Sequence, residues 1–265
     1  MRGRVNCYVE PKRTKKTGMI LGAVSAGCGG RMLMGQTEGS LPDADHHIVW
    51  GYQWVSVHVI QQAARQGQHS WLIDNAYWRP GRGMSTGFYR AMMDQPVTPF
   101  ISRGRGYDRA RRVFGVRLHP WHREGRNVVI MLPGDHFGDP WNMDMHGWSS
   151  RIEARVREHT DRPVIVRAKG EMRSLEEDFK DAWCIVTHSS GVAVTAACAG
   201  IPVFCEPTCA AAYVGRTDLH IESPVYHEDR ERWVESLAFQ QFSLPEYRSG
   251  FARDMLQAVI DRSPQ

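Results

Sequence analysis

Four short segments of this sequence end apolar runs in residues able to hold a phosphorylated ligand. Leu132-Pro-Gly-Asp-His-Phe-Gly138 follows the run 127–132, and Arg167-Ala-Lys169 follows 163–166. Thr187-His-Ser-Ser190 follows 184–186, and Cys205-Glu-Pro207 follows 201–204. If these runs are parallel strands, their ends converge on one edge of a sheet, where open α/β sheets bind ligands. Gly134 permits close backbone approach, Arg167 and Lys169 bring positive charge, and His188, Ser189 and Ser190 bring hydrogen-bonding side chains. Such a set suits a diphosphate, whose two charges need several donors at once. Glu206 adds a carboxylate able to accept from ribose hydroxyls. Gly191 lets the chain turn into a helix over 192–199, whose first-turn N–H groups and positive dipole end favour an anion. Equally, both serines can serve only as helix caps, and Arg167 and Lys169 as solvated strand ends.

Other motifs narrow the chemistry. No Gly-x-x-x-x-Gly-Lys-Ser/Thr loop occurs, nor a Gly-x-Gly-x-x-Gly fingerprint between strand and helix, so kinase and dehydrogenase readings lack support. His119, His122, His136, His146, Asp135, Asp139 and Asp144 invite a metal reading. Their spacing matches no ligand motif, and Gly138 and Pro140 oppose the helix that paired histidines would need. The six cysteines form no Cys-x-x-Cys pair and lie mostly in apolar runs, as small buried hydrophobes do.

Basic residues are unusual in kind. Lysine stands only at 12, 15, 16, 169 and 180, so 28 of the 33 basic residues are arginine. Arginine offers a planar fork suited to phosphate. Between 101 and 126 stand Arg103, Arg105, Arg109, Arg111, Arg112, Arg117, Arg123 and Arg126, opposed only by Asp108 and Glu124. Such a cluster either attracts a phosphate polymer or forms a solvated linker. Lys12 to Lys16 extends the basic surface.

Apolar content of 42% and charged content of 23% are those of a globular protein, and 265 residues suffice for one large domain or two small ones. No apolar run approaches the roughly 20 residues that span a bilayer. Gly18 to Gly30 is too glycine-broken for a signal peptide, so a cytoplasmic protein is expected.

The positioning elements alternate. Strands are predicted over 6–10, 31–34, 47–50 and 70–74, with helices near 19–26 and over 54–65. After the aperiodic arginine stretch come strand 127–132, helix 148–159, strand 163–167, helix 175–182, and then strand 184–186, helix 192–199 and strand 201–204. An amphipathic helix over 230–241 and a terminal helix over 245–260 follow. Strand–helix alternation predicts parallel sheets covered on both faces. The arginine stretch divides residues 1–115 from residues 116–265, and a cleft between two such domains is a preferred ligand site.

The series from Met131-Leu-Pro through Thr160-Asp-Arg-Pro-Val-Ile-Val-Arg-Ala-Lys169, Thr187-His-Ser-Ser190 and Gly200-Ile-Pro-Val203 resembles the nucleotide-sugar-binding half of GT-B glycosyltransferases. The ending 232–250 is similar to that of phage-encoded GT-B-like proteins. A looser similarity in the first half centres on Leu72-Ile-Asp-Asn-Ala-Tyr-Trp78 and Phe88-Tyr-Arg90. This resemblance implies two Rossmann-like α/β domains facing a cleft, acceptor domain first, with a terminal helix crossing back in that family. It implies transfer of a sugar from a nucleotide-diphosphate donor, a UDP-sugar, with no metal and no other cofactor. The favoured acceptor is a 5-hydroxymethylpyrimidine in double-stranded DNA, held by Arg90, Arg103, Arg109, Arg111 and Arg112. No membrane and no protein partner are expected. Fold analogy puts a general base in the first domain; Asp74 is the candidate because it ends an apolar strand, with His46, His47, His58 and His69 as alternatives. Asn75, Tyr77 and Trp78 could bond or stack on an acceptor ring. Rival readings are a polysaccharide or glycolipid glycosyltransferase, a nucleotide-sugar epimerase, and a non-catalytic DNA-binding module.

Overall fold

The computed structural model describes residues 3–10, 14–35, 37–79, 83, 86–96, 108–134, 136 and 138–261. Arg103, Arg105, Lys12 and Asp135 lie outside them. In chain order the first elements are β1 (Val5–Val9), α1 (Thr14–Cys28), β2 (Arg31–Met34), β3 (His46–Trp50), α2 (Trp54–Arg65), β4 (His69–Asn75) and β5 (Phe88–Met93). Next come α3 (Asp108–Phe114), β6 (Asn127–Met131), α4 (Met145–Arg157), β7 (Val164–Arg167), α5 (Leu175–Phe179), β8 (Ala182–Thr187), α6 (Val192–Cys198) and β9 (Val203–Cys205). The chain ends with α7 (Arg230–Ala238), β10 (Gln241–Ser243), α8 (Leu244–Arg248) and α9 (Phe251–Ile260).

Two compact units result. The first takes Met1–Arg103, Asp139–Asn142 and Ser236–Gln265; the second takes Gly104–Gly138 and Met143–Glu235. This grouping assigns β10, α8 and α9 to the first unit.

The first unit is built on a six-stranded sheet of order β10-β5-β4-β3-β1-β2. Its strands alternate in what they bury, as period-two side chains must. Cys7, Val9, Ile48, Trp50, Trp71 and Ile73 pack under Ile20, Leu21 and Val24 of α1 with Tyr247 and Leu256. Tyr8, Val49 and Leu72 point the other way, onto Val55, Val59 and Ile60 of α2. Contact between α1 and α8 depends on Gly27, where a Cβ would lie 1.8 Å from the Tyr247 carbonyl oxygen.

The second unit holds a four-stranded, wholly parallel sheet of order β7-β6-β8-β9. Met145, Trp148, Ile152 and Val156 form the buried stripe of α4, which starts at Asp144, whose carboxylate accepts from the Gly147 N–H at 2.7 Å. The small residues Ala193, Val194, Ala196 and Ala197 let α6 lie close on β8 and β9.

Several sequence expectations needed correction. The first sheet is mixed: β5 runs antiparallel to β4, and β10 antiparallel to β5. The helix expected to reach Ala182 stops at Phe179, because Ala182 already pairs with Asn127 in the sheet. The helix expected to reach Gln241 stops at Ala238, and Gln241 pairs with Arg90 instead. Gly250, at φ 83°, breaks the terminal helix into α8 and α9. Within the arginine stretch, Asp108–Phe114 is helical, with Ala110 and Phe114 buried one turn apart.

Candidate functional site

In an open parallel sheet the ligand edge is the one at the carboxyl ends of the strands, where neighbouring connections leave in opposite directions. In the second unit that point lies between β6 and β8, since the chain goes from β6 to β7 on one side and to β8 and β9 on the other. Beyond β8, buried and half-buried side chains form linked hydrogen bonds. Thr187 donates its hydroxyl to the Met131 carbonyl at 2.8 Å, tying the ends of β8 and β6. His188 Nδ1 and Ser189 Oγ lie 2.7 Å apart, and Ser189 Oγ and Thr208 Oγ1 lie 3.0 Å apart. Glu206 gives its backbone N–H to the His188 carbonyl at 3.1 Å, and its Oε1 accepts the Trp148 indole N–H at 2.9 Å. The Trp148 ring stands edge-on to His188, with centroids 5.5 Å apart. Burial pushes the His188 imidazole below the ordinary histidine value, against the opposing pull of Glu206.

The two serines differ in their partners. Ser189 is buried and bonded to His188 and Thr208, whereas Ser190 Oγ accepts from the Val192 N–H at 3.3 Å, a local turn contact ahead of α6, whose N-cap is Gly191. Two further N–H groups of the first turn, at Ala193 and Val194, already donate to the Ser190 and Gly191 carbonyls.

Gly134 and Lys169 come together: a Cβ on Gly134 would sit 3.4 Å from Lys169 Nζ. Lys169 is exposed and makes no hydrogen bond or ion pair among the described residues. Arg167 is placed differently. Its guanidinium is engaged by the buried Asp178 carboxylate and by the Arg173 and Ser174 carbonyls, so it clamps the start of α5. Trp148 and Thr208 were missed in the sequence. Trp148 reads there as one residue of an apolar stripe, although a buried indole normally needs an acceptor for its N–H.

In the first unit, Asp74 and Arg90 are direct partners across β4 and β5, and Arg90 Nη2 donates to Asp74 Oδ2 at 2.8 Å. The pair is largely buried, with side chains 15% and 10% exposed respectively. The Arg90 guanidinium lies 4.5 Å over the Tyr77 ring and 3.4 Å from the Tyr52 hydroxyl. Burial opposes its charge, but Tyr77, Tyr52 and Asp74 outweigh that and raise its pKa. Arg90 is thus a buried partner of the candidate base rather than an exposed phosphate contact. Asn75 donates weakly to Asp74 Oδ1 at 3.4 Å and accepts from Lys16 Nζ at 3.4 Å. Trp78 meets the Tyr77 ring edge-on at 6.4 Å. Tyr52, Lys16 and Gln241 join this cluster without having been singled out.

The histidines named as alternatives stand elsewhere. His46, His47 and His69 lie at the opposite, amino-terminal ends of β3 and β4, where His46 and His69 stack at 5.4 Å and His69 pairs with Asp94 at 2.8 Å. Five of the six described arginines in 101–126 stand beside a local carboxylate or ring. Arg111 and Arg112 approach Asp108 at 3.4 and 3.6 Å, Arg109 lies 5.7 Å over Phe114, Arg123 lies 4.4 Å over Tyr226, and Arg126 pairs with Asp181 at 2.7 Å. Glu235 caps α3 by accepting from the Arg109 and Ala110 N–H groups at 3.0 and 2.9 Å. Among the described residues no three His, Cys, Asp or Glu side chains group as metal ligands, and no helix is long and apolar enough to cross a membrane.

No family model and no curated protein matches the sequence. Solved structures do match the fold. One is Thermosulfurimonas dismutans KpsC, described as a beta Kdo 2,4 transferase, with TM-score 0.50 and 12% identity over 88% of this chain and 89% of that one. Another, from the same organism, is KpsC described as a beta Kdo 2,7 transferase, with TM-score 0.51 and 13% identity over 94% of this chain and 99% of that one. At such identities the likeness is one of fold: a mixed α/β chain with parallel sheets, as in these transferases.

Proposed function

We propose that this chain is a glycosyltransferase that moves a sugar from a nucleotide-linked donor to a hydroxyl. The second unit holds the donor at the ends of β6, β8 and β9, and Asp74 in the first unit serves as general base. The observation that carries this reading is the His188–Ser189–Thr208 and Trp148–Glu206 network at a parallel-sheet switch point, within a fold shared with two Kdo transferases. Glu206 keeps acceptor capacity for a ribose hydroxyl, because a carboxylate has about four lone-pair sites and Trp148 takes one. Lys169, beside the close-approach position Gly134, is the cation for the departing phosphate, a role that Arg167 would fill only by leaving Asp178. With Lys169 in that role no metal ion is invoked, and a UDP-sugar remains the donor we favour.

In the transfer, Asp74 takes the proton of the acceptor hydroxyl while that oxygen bonds to the anomeric carbon. The bond from that carbon to the phosphate oxygen breaks, and the nucleotide leaves with the electron pair. Arg90 holds Oδ2 of Asp74 in a fixed direction, which leaves Oδ1, only weakly engaged by Asn75, to meet the hydroxyl.

For the acceptor, a saccharide hydroxyl is the better reading. The neighbours are described as Kdo transferases, and Arg111, Arg112, Arg123 and Arg126 of the basic stretch each stand beside a local carboxylate or ring. Mass spectrometry after incubation with a panel of nucleotide sugars, offered saccharides and hydroxymethylated duplex DNA in parallel, tests both. One sugar residue added to a saccharide is the expected result. Addition to DNA alone would reinstate the arginine reading, and conversion of the donor to an isomer of equal mass, separated by chromatography, with neither acceptor modified would point to an epimerase.

A further inference from the structure

We propose that Gln241 is a positioning residue that sets the loop after β4 and, through it, the acceptor; this rests on the transferase reading above. β10 lies at the edge of the first sheet and brings Gln241 opposite Arg90, which is itself opposite Asp74. In-register partners of an antiparallel pair share a face, so three polar side chains from three strands stand in one row. Gln241 is fully buried, at 0% exposure. Both ends of its amide are used. Oε1 accepts from the Tyr77 N–H at 2.6 Å and the Trp78 N–H at 3.3 Å, and Nε2 donates to the Leu237 carbonyl at 2.9 Å.

The position explains the need. The Ala76 N–H donates to the Phe88 carbonyl at 3.2 Å, and beyond that bond the chain leaves the sheet. Backbone donors at that point need acceptors, and one side chain supplies an acceptor to two successive N–H groups. The residue it catches, Tyr77, carries the ring beneath the Arg90 guanidinium. Gln241 thus fixes by its backbone the residue that packs on the partner of Asp74. Glutamine suits the place: glutamate would set a second acceptor against the Leu237 carbonyl, and methionine would remove the oxygen that both loop donors use.

Hydrogen exchange and steady-state kinetics on Gln241→Met and Gln241→Glu test this. In Gln241→Met the Tyr77 and Trp78 amides should exchange roughly tenfold faster or more. The Ile73 and Ile130 amides should keep their rates. The acceptor KM should rise about tenfold on the same hydrogen-bond scale, with donor KM and donor Kd unchanged. Gln241→Glu keeps the accepting oxygen and should hold slow exchange at Tyr77 and Trp78. Unchanged exchange there in Gln241→Met, a uniform rise across the sheet, or fast exchange with a parental acceptor KM would each overturn the proposal. If Gln241→Met does not fold, Gln241→Glu decides: slow exchange with a parental acceptor KM supports the role, and fast exchange refutes it. Parental protein that transfers no sugar would instead sink the transferase reading and with it the acceptor role. The exchange rates would still report whether Gln241 holds the loop.

Discussion

The two units share a strand order and differ in what they place at its edge. In the first, β2-β1-β3-β4 repeats the parallel order of β7-β6-β8-β9 in the second, with the central strand first in the chain each time. Yet the first edge carries a buried ion pair, Asp74 with Arg90, among Tyr52 and Tyr77. The second carries a hydroxyl–imidazole chain, His188, Ser189 and Thr208, with the Glu206 carboxylate on Trp148, and an exposed Lys169 just past β7. One topology therefore supplies two polar edges, and the residues just past each strand decide their chemistry. The charged edge also depends on strands the second unit lacks: Arg90 comes from β5 and Gln241 from β10, both antiparallel additions.

The sharpest way to break this contrast is to remove one half of the buried pair. Arg90→Met leaves the Asp74 carboxylate without its partner, and such a loss typically costs about 3–5 kcal/mol of stability. Urea unfolding should show that scale of loss. A change within experimental scatter would mean that the two edges are not distinguished by a buried charge pair at all.

At the second unit's edge the expected loss is smaller and falls on ligand binding. Replacing Ser189 and Ser190 together by alanine should weaken donor binding by about 1–3 kcal/mol, the scale of hydrogen bonds to a charged group. Ser189→Ala alone should account for most of it, since Ser190 Oγ is taken by the Val192 N–H. Calorimetry that finds the parental affinity in the double variant would reduce both serines to scaffolding.

Much of this contrast is legible in the sequence, and its limits have physical causes. The helix over Trp54–Arg65 is read correctly from apolar spacing alone, because Val55, Val59, Ile60 and Ala63 lie on one face. Likewise the ends of β6, β8 and β9 are read as one edge, since each run is apolar and breaks into small polar residues. The ion pair was not legible: Arg90 follows Asp74 by 16 residues, and only the antiparallel return of β5 makes them neighbours. Gln241 acts on a loop 164 residues earlier in the chain, and no local pattern encodes that. Asp178, buried at the end of a helix crowded with acids, gives no sign that it claims Arg167. The short helix α3 hid behind its arginines because its cap, Glu235, comes from 125 residues away.

A smaller effect separates the edges by pH. Burial lowers the pKa of both His188 and His47 below the ordinary 6.5. As pH falls below that value the unfolded chain takes up these protons before the folded one, so stability should fall, by at most about 1.4 kcal/mol per pH unit for each group. His188→Gln should flatten the slope below pH 6.5 and also change the pH dependence of donor binding. His47→Gln, at the far end of the first sheet, should flatten the stability slope only. Equal effects of both variants on donor binding would remove His188 from the site.

Asp74 tests the central claim most directly. Asp74→Asn keeps shape and polarity while removing the carboxylate that would take the acceptor proton. General-base catalysis is typically worth about 10²–10⁴-fold in rate. The measurement is turnover of a nucleotide sugar by Asp74→Asn beside calorimetric donor binding, on protein whose fold is verified by its circular dichroism. The expected result is a loss of turnover within that range at parental donor affinity. Near-parental turnover would contradict the assignment of the base to the charged edge of the first unit.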